Sequence, residues 1–341
     1  MMIEKIIIGP VRYNGLYGYI NPEGAFVIKP EFQELGIHSE GMISFKMGNR
    51  IGFLNMDGEL VIPPRFELRQ HLEIMPIFKN GLAAVSFNGR IGYIYKSGDW
   101  KIPPSWGWGW NFNGDYALVE LEKGYFVIDR SGNIITRFNV YDIPSDPYWI
   151  SDWECFRCLF KVGNRIYQGC ININGKIVFP PKYYYLTNFY EGIAAFSESE
   201  DGDIYGLIEL SGKIIKEPQF LFVSNFSEGL AAANRKFGNH IDGGIRGYIN
   251  NLGEWVIEPR FSYAYDFSGG LACVGIGEKR NKYYEIINKP AFGFINRSGE
   301  FVIEPIYSSA NHLSGGYVMV EKDNKSFIFD NNGKLIWEGA Q

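Results

Sequence analysis

Gly18-Tyr19-Ile20-Asn21, then Gly24, Val27-Ile28, Pro30 and Phe32: this frame decides the fold, because it returns along the whole chain. It reappears as Gly52-Phe53-Leu54-Asn55, Gly58, Val61-Ile62, Pro64, Phe66, and again as Gly92-Tyr93-Ile94, Gly98, Ile102, Pro104, Trp106. Further copies start at Gly169, Gly206, Gly247 and Gly293, and two degenerate copies carry Phe126 and Phe327 at the first glycine's place. The second glycine is present in all nine: Gly24, Gly58, Gly98, Gly132, Gly175, Gly212, Gly253, Gly299 and Gly333. Proline follows it six residues later except in the two degenerate copies, which have Phe138 and Gly339 there. A third element precedes each copy, as in Gly81-Leu82-Ala83-Ala84-Val85 and Gly229-Leu230-Ala231-Ala232-Ala233.

Each segment is short, rich in β-branched or aromatic residues and bounded by turn residues, which is the signature of a strand. The unit therefore reads as a three-strand meander: Leu-Ala-x-Val, then Gly-Tyr-Ile-Asn, a tight turn, and x-Val-Ile. A glycine in that turn suits a hairpin that needs positive φ. The proline is expected to end the third strand, since it cannot donate to a ladder. One meander cannot bury its apolar face alone, so neighbours must stack.

The pattern resembles the WG-repeat family (KWG repeats) of bacterial proteins, whose units look like x-W-G-Y-I-D-x-x-G-x-x-V-I-P-P-x-Y followed by F-S-E-G-L-A-x-V. The match runs over essentially the whole chain. One departure stands out: the tryptophan before the first glycine is replaced by Tyr17, Ile51, Ile91, Tyr125, Gln168, Tyr205, Arg246, Phe292 and Ser326. The resemblance implies a repeat scaffold of the kind associated with binding, and it carries over no catalytic residue.

The expected architecture is all-β: nine tandem three-strand meanders in one repeat domain, 1–341, arranged like a β-propeller. The units run roughly 1–34, 35–74, 75–108, 109–150, 151–185, 186–222, 223–263, 264–309 and 310–341. An open β-superhelix, a solenoid array with atypical end units, is the alternative, because propellers usually have about four to eight blades. Composition agrees with a turn-rich all-β protein: 16% aromatic, 46% hydrophobic, 21% charged, with 41 glycines among 341 residues. With 33 basic against 38 acidic side chains there is no electrostatic footprint for nucleic acid. Ile6-Ile7-Ile8 is too short for a secretory leader or a membrane span, which sets the expectation of a cytoplasmic protein that binds no membrane.

Motifs with chemical meaning are few. Cys155-Phe156-Arg157-Cys158 is a C-x-x-C without the second ligand pair a structural zinc needs, and Cys158 falls where other units have Ala83, Ala194 and Ala231. His38, His71, His240 and His312 are isolated. The acidic run Glu198 to Asp203 lacks the alternating order of a calcium loop and reads as a hairpin tip. No phosphate loop, nucleophile elbow or metalloprotease motif occurs. The expectation is therefore no enzyme, no cofactor and no metal, with an enzyme site in a central channel as the weakest reading.

Function is expected where the copies disagree. From the end of Leu-Ala-x-Val to the next first-glycine place the spacing is seven in units 1 to 4 and 9, but nine, ten, fourteen and nineteen in units 5 to 8. Consecutive lengthening of one hairpin predicts a raised surface for a protein partner carrying Glu200, Asp201, Arg235, Lys236, His240, Lys279, Arg280, Lys282, Tyr283 and Tyr284. The role would be that of an inhibitor, an immunity factor or an adaptor. The competing reading is a lectin-like, carbohydrate-binding module that stacks sugars on Trp106, Trp108, Trp110, Trp149 and Trp153.

Overall fold

The structure, a computed structural model, describes residues 6–68, 75–122, 124–138, 155–235, 245–280 and 285–340. The described residues form short antiparallel strands, with a single 3₁₀ turn among them at Ser314–Gly316. In unit 2 the three expected strands are Met42–Met47, Arg50–Asn55 and Leu60–Glu67, and the other units repeat them. All nine second glycines have φ between +70° and +88°. In seven of the nine an Asn or Asp closes the turn, as where Asn55 Oδ1 accepts from the amides of Asp57 and Glu59, both at 2.9 Å; units 3 and 6 have Tyr95 and Glu209 there.

Two features go beyond the sequence pattern. The first is a leading strand ahead of Leu-Ala-x-Val, seen at Glu34–Ser39, Phe78–Lys79, Trp108–Gly109, Tyr185–Leu186, Tyr263–Ser268 and Ser309–His312. Except at Phe78–Lys79, it follows the third strand of the preceding unit after a single bend residue such as Gln33, Tyr184, Ser262 or Ser308. Between units 6 and 7 even that break is gone: Ile214–Val223 pairs with its own unit through Phe220↔Tyr205 and with the next through Phe220↔Arg235 and Val223↔Ala233.

The second concerns proline, which does not end the third strand. In unit 1, Tyr19 faces Ile28 but Tyr17 faces Phe32, so Lys29-Pro30-Glu31 pass opposite Gly18 as a bulge. A proline is tolerated there because a bulge has no ladder bond for it to break. The bulge swings a carbonyl over the first glycine, where an added Cβ would lie 2.6 Å from Ile62 O at Gly52 and 2.7 Å from Ile102 O at Gly92. In the degenerate copies glycine and proline are lost together, and Phe126↔Arg137 and Phe327↔Glu338 sit in a ladder that stays regular at that place.

Both faces of every meander are covered, which is why Leu-Ala-x-Val reads as an unbroken apolar run. Leu82 and Ala84 join a cluster with Phe112 and Val119 of unit 4, whereas Ala83 and Val85 turn to Phe53 and Phe66 of unit 2. Nine such clusters occur among the described residues, one at each seam between units. The ninth joins Ile8, Val11 and Ile20 of the first unit to Ile328 and Trp337 of the last. Trp337 lies edge-on to Tyr13 and to Phe26, each at 6.2 Å, and His38 Nε2 is 3.1 Å from Ser314 Oγ. Eight seams would make an open array; the ninth closes a ring. The turns after the leading strands are stapled from unit to unit: Gly81 N donates to Glu40, Gly229 N to Glu191 and Gly270 N to Glu228, at 2.9, 2.9 and 3.0 Å.

Candidate interaction surface

The hairpins between the first and second strands and the bends before the leading strands lie at the same end of the meanders, since each leading strand begins opposite the end of its Leu-Ala-x-Val strand. Glu34↔Lys46 and Tyr185↔Ser197 show this register. In regular units the hairpin is a two-residue turn such as Asn14-Gly15, with φ of +49° and +82°. In unit 5 the turn is still two residues, between Val162 and Arg165, and the extra spacing is strand. The lengthening read there as loop is thus a taller hairpin, Cys155–Val162 with Arg165–Asn172, which exposes Val162 and Ile166.

Unit 6 carries a true loop with Glu200 and Asp201 exposed. Unit 8 carries a small ribbon in which Lys279–Arg280 pairs with Ile286–Asn288, leaving Ile287 65% exposed. Arg235 ends a strand of unit 7. Lys236, His240, Lys282, Tyr283 and Tyr284 lie outside the described residues.

The structure joins units 5 and 6 into one patch through residues that spacing did not indicate. Tyr167 of the tall hairpin and Tyr184 at the bend have ring centres 4.9 Å apart, and the Arg165 guanidinium lies 6.0 Å over Tyr184. A hydrogen bond between the two phenols raises Tyr184 and lowers Tyr167 from the ordinary tyrosine value. The Tyr167 hydroxyl, followed by the charges of Tyr184 and Tyr167 and then of Glu200, holds Arg165 above its usual value. Units 7 and 8 repeat the theme. Arg246 lies 4.4 Å over Phe222 and 5.9 Å from Tyr263, whose hydroxyl donates to Glu278 at 2.5 Å.

Trp108, Tyr185, Phe222 and Tyr263 occupy one repeat place, the first residue of the leading strand in units 4, 6, 7 and 8; units 2 and 9 have Glu34 and Ser309 there. Counting seven residues back from the glycine of each Gly-Leu-Ala or Gly-Ile-Ala, and from Asp115 in its place in unit 4, would have found this aromatic row.

The tryptophans are dispersed. Trp106 is 7% exposed inside the core between units 3 and 4, so it offers no open face. Trp110 packs on the core between units 4 and 5, and half-buried Trp108 meets it edge-on at 6.3 Å. Trp149 and Trp153 lie outside the described residues. Cys158 and Cys170 are buried in seam cores, and burial pushes the Cys273 thiol up to about 12. Among the described residues no three His, Cys, Asp or Glu side chains gather, and no helix is long and apolar enough to cross a membrane.

A closed set of like meanders, each packed on the next, defines a β-repeat scaffold. The family model of the WG containing repeat matches residues 17–50, 51–90, 91–125, 169–199, 205–236, 247–279 and 292–325, and the chain belongs to that family. Each match begins at the second strand of one unit and ends beyond the first strand of the next, so the family's sequence unit spans a seam. No curated protein matches the sequence. Among solved structures, a crystal structure of the eukaryotic initiation factor is similar over 99% of this chain and 96% of its own, at 8% identity and a TM-score of 0.66. That likeness is one of fold. Weaker ones are to BamB from Moraxella catarrhalis (10% identity, 98% and 95% covered, TM-score 0.40) and to Kluyveromyces lactis Hsv2p (9%, 90% and 96%, 0.44).

Proposed function

We propose that this protein is a non-enzymatic scaffold of the bacterial cytoplasm that binds a protein partner along the hairpin end of units 4 to 8, acting as an inhibitor, immunity factor or adaptor. The observation that carries the reading is the row of Trp108, Tyr185, Phe222 and Tyr263 beside the arginines Arg165 and Arg246. Aromatic side chains and arginine dominate interface hot spots, and here they stand among exposed charged loops. A buried, inert thiol such as Cys273 suits a reducing compartment.

The test compares three proteins as bait in native lysate: wild type, Arg165→Ala with Tyr184→Ala, and Lys213→Ala with Leu252→Ala at the opposite end of the meanders. One protein retained by the first and third and lost from the second is the expected result, with melting temperatures of all three within a few degrees. Equal retention by all three would place the interface elsewhere.

A further inference from the structure

An open cavity of about 300 Å³ lies where units 5, 6 and 7 meet, and its lining is largely polar. The residue facing the one after the first glycine is Ser44, Ala84, Leu118, Ala195, Ala232 or Cys273 in six units, all buried; in unit 5 it is Arg157, opposite Cys170. A guanidinium in an apolar place is tolerated only when its donors are satisfied. Arg157 Nε donates to Asn188 Oδ1 at 3.1 Å, and Nη1 donates to Gln168 Oε1 at 2.8 Å and to Leu186 O at 3.0 Å. Four residues before the glycine place of the next strand, units 2 and 3 have Ile37 and Ile77, whereas units 4, 6, 7, 8 and 9 have Asn111, Asn188, Asn225, Asp266 and His312. Asn225 Nδ2 lies 3.4 Å from Asp266 Oδ2, which orients its amide. Gln168 takes the place where the family has tryptophan. Arg157, Gln168, Asn188 and Asn225, drawn from three units, line a single space, with the rings of Tyr190 and Tyr205 as further walls.

We propose that this cavity binds a neutral, polyhydroxylated ring the size of one monosaccharide. Carboxamides of Asn188, Asn225 and Gln168 offer donor and acceptor side by side, which matches vicinal hydroxyl groups. The guanidinium adds fixed donors, and tyrosine rings cover the C–H faces of a sugar. The volume stands at the small end of ligand pockets, enough for one ring and too little for a chain. The lining described holds no carboxylate to recruit a cation. The site borders the aromatic row, since Tyr185 belongs to both, and needs no protein partner.

The experiment is calorimetric titration of the full chain with a panel of free hexoses, hexosamines and inositol, beside glutamine and inorganic phosphate. At least one sugar or cyclitol is expected to bind. Asn225→Ile, which introduces the residue type of units 2 and 3, should weaken it about tenfold, the worth of one lost hydrogen bond. Gln168→Leu should do the same and serves if the first variant fails to fold. Asn111→Ile, the same repeat place in unit 4 and away from the cavity, should leave affinity unchanged, as should Arg165→Ala with Tyr184→Ala, which separates this site from the protein interface. The proposal falls if no sugar or cyclitol binds up to tens of millimolar, if only phosphate or glutamine binds, or if a bound sugar is indifferent to both cavity variants.

Discussion

Gly247 shows how much one missing methyl group decides. An added Cβ would sit 2.7 Å from Pro259 N and closer still to the Ile257 carbonyl, both backbone and unable to move without undoing the bulge. Gly247→Ala should therefore destabilise by about 1–3 kcal/mol, the usual range for overpacking, read as a lower midpoint in urea. The tyrosine that follows this glycine in three units contributes differently. Tyr19, Tyr93 and Tyr248 donate to the carbonyls of Gly36, Trp110 and Tyr265 in the next unit at 2.7, 2.8 and 2.8 Å. Burial lifts the phenols of Tyr19 and Tyr248 well above the ordinary tyrosine value. The folded protein keeps them neutral while the unfolded chain ionises from about pH 10, so their stabilisation is intact below that pH and drains away as pH rises past it. Tyr19→Phe with Tyr248→Phe should cost about 1 kcal/mol per hydroxyl at neutral pH and flatten the fall of melting temperature above about pH 10. An equally steep fall in the variant would contradict this.

At the scale of elements, the staples between neighbouring turns are the simplest to probe. Removing the carboxylate that receives Gly270 N, by Glu228→Ala, should lower stability by about 1 kcal/mol, discounted for partial exposure. Faster amide exchange at Gly270 than in the parent checks it. These elements also mark what could be read in advance. Strands bounded by Gly24, Gly58 and their equivalents were legible, because a positive-φ turn leaves a mark that no other residue type replaces cheaply. The leading strands were not: Glu34–Ser39 and Ser309–His312 share no apolar pattern, since each is held by the unit before it as much as by its own. Proline was read as a stop because sequence cannot distinguish an ended strand from a bulged one. Spacing likewise could not separate the taller hairpin of unit 5 from a longer loop. The patch of Arg165, Tyr167 and Tyr184 stayed hidden for a related reason. Its members look like ordinary surface residues until the bend between units 5 and 6 folds Tyr184 back over the hairpin.

For the whole molecule the deciding quantity is nine seams for nine units. Trp337 is 9% exposed in the seam that joins last to first, and Trp337→Ala should cost about 3–5 kcal/mol, as for other large buried aromatics. Hydrogen exchange should then speed up in Ile8–Tyr13 as well as in Leu335–Ala340; loss of protection in the last unit alone would mean that the ring is open. Closure was the feature least legible beforehand, because no residue near either end announces a partner some 320 positions away. The closing seam also has a mechanical meaning. Every other seam is crossed by the chain itself, usually through one bent strand, whereas among the described residues units 9 and 1 are joined by side chains without a ladder. Tension between the two ends of the ring loads that latch before any strand is pulled. A stretched molecule should first yield with a short extension and then unravel unit by unit, each step releasing roughly 110–160 Å of chain, as 34 to 46 residues straighten. The fold is in that sense a clasped bracelet, rigid while fastened and taken apart from its clasp.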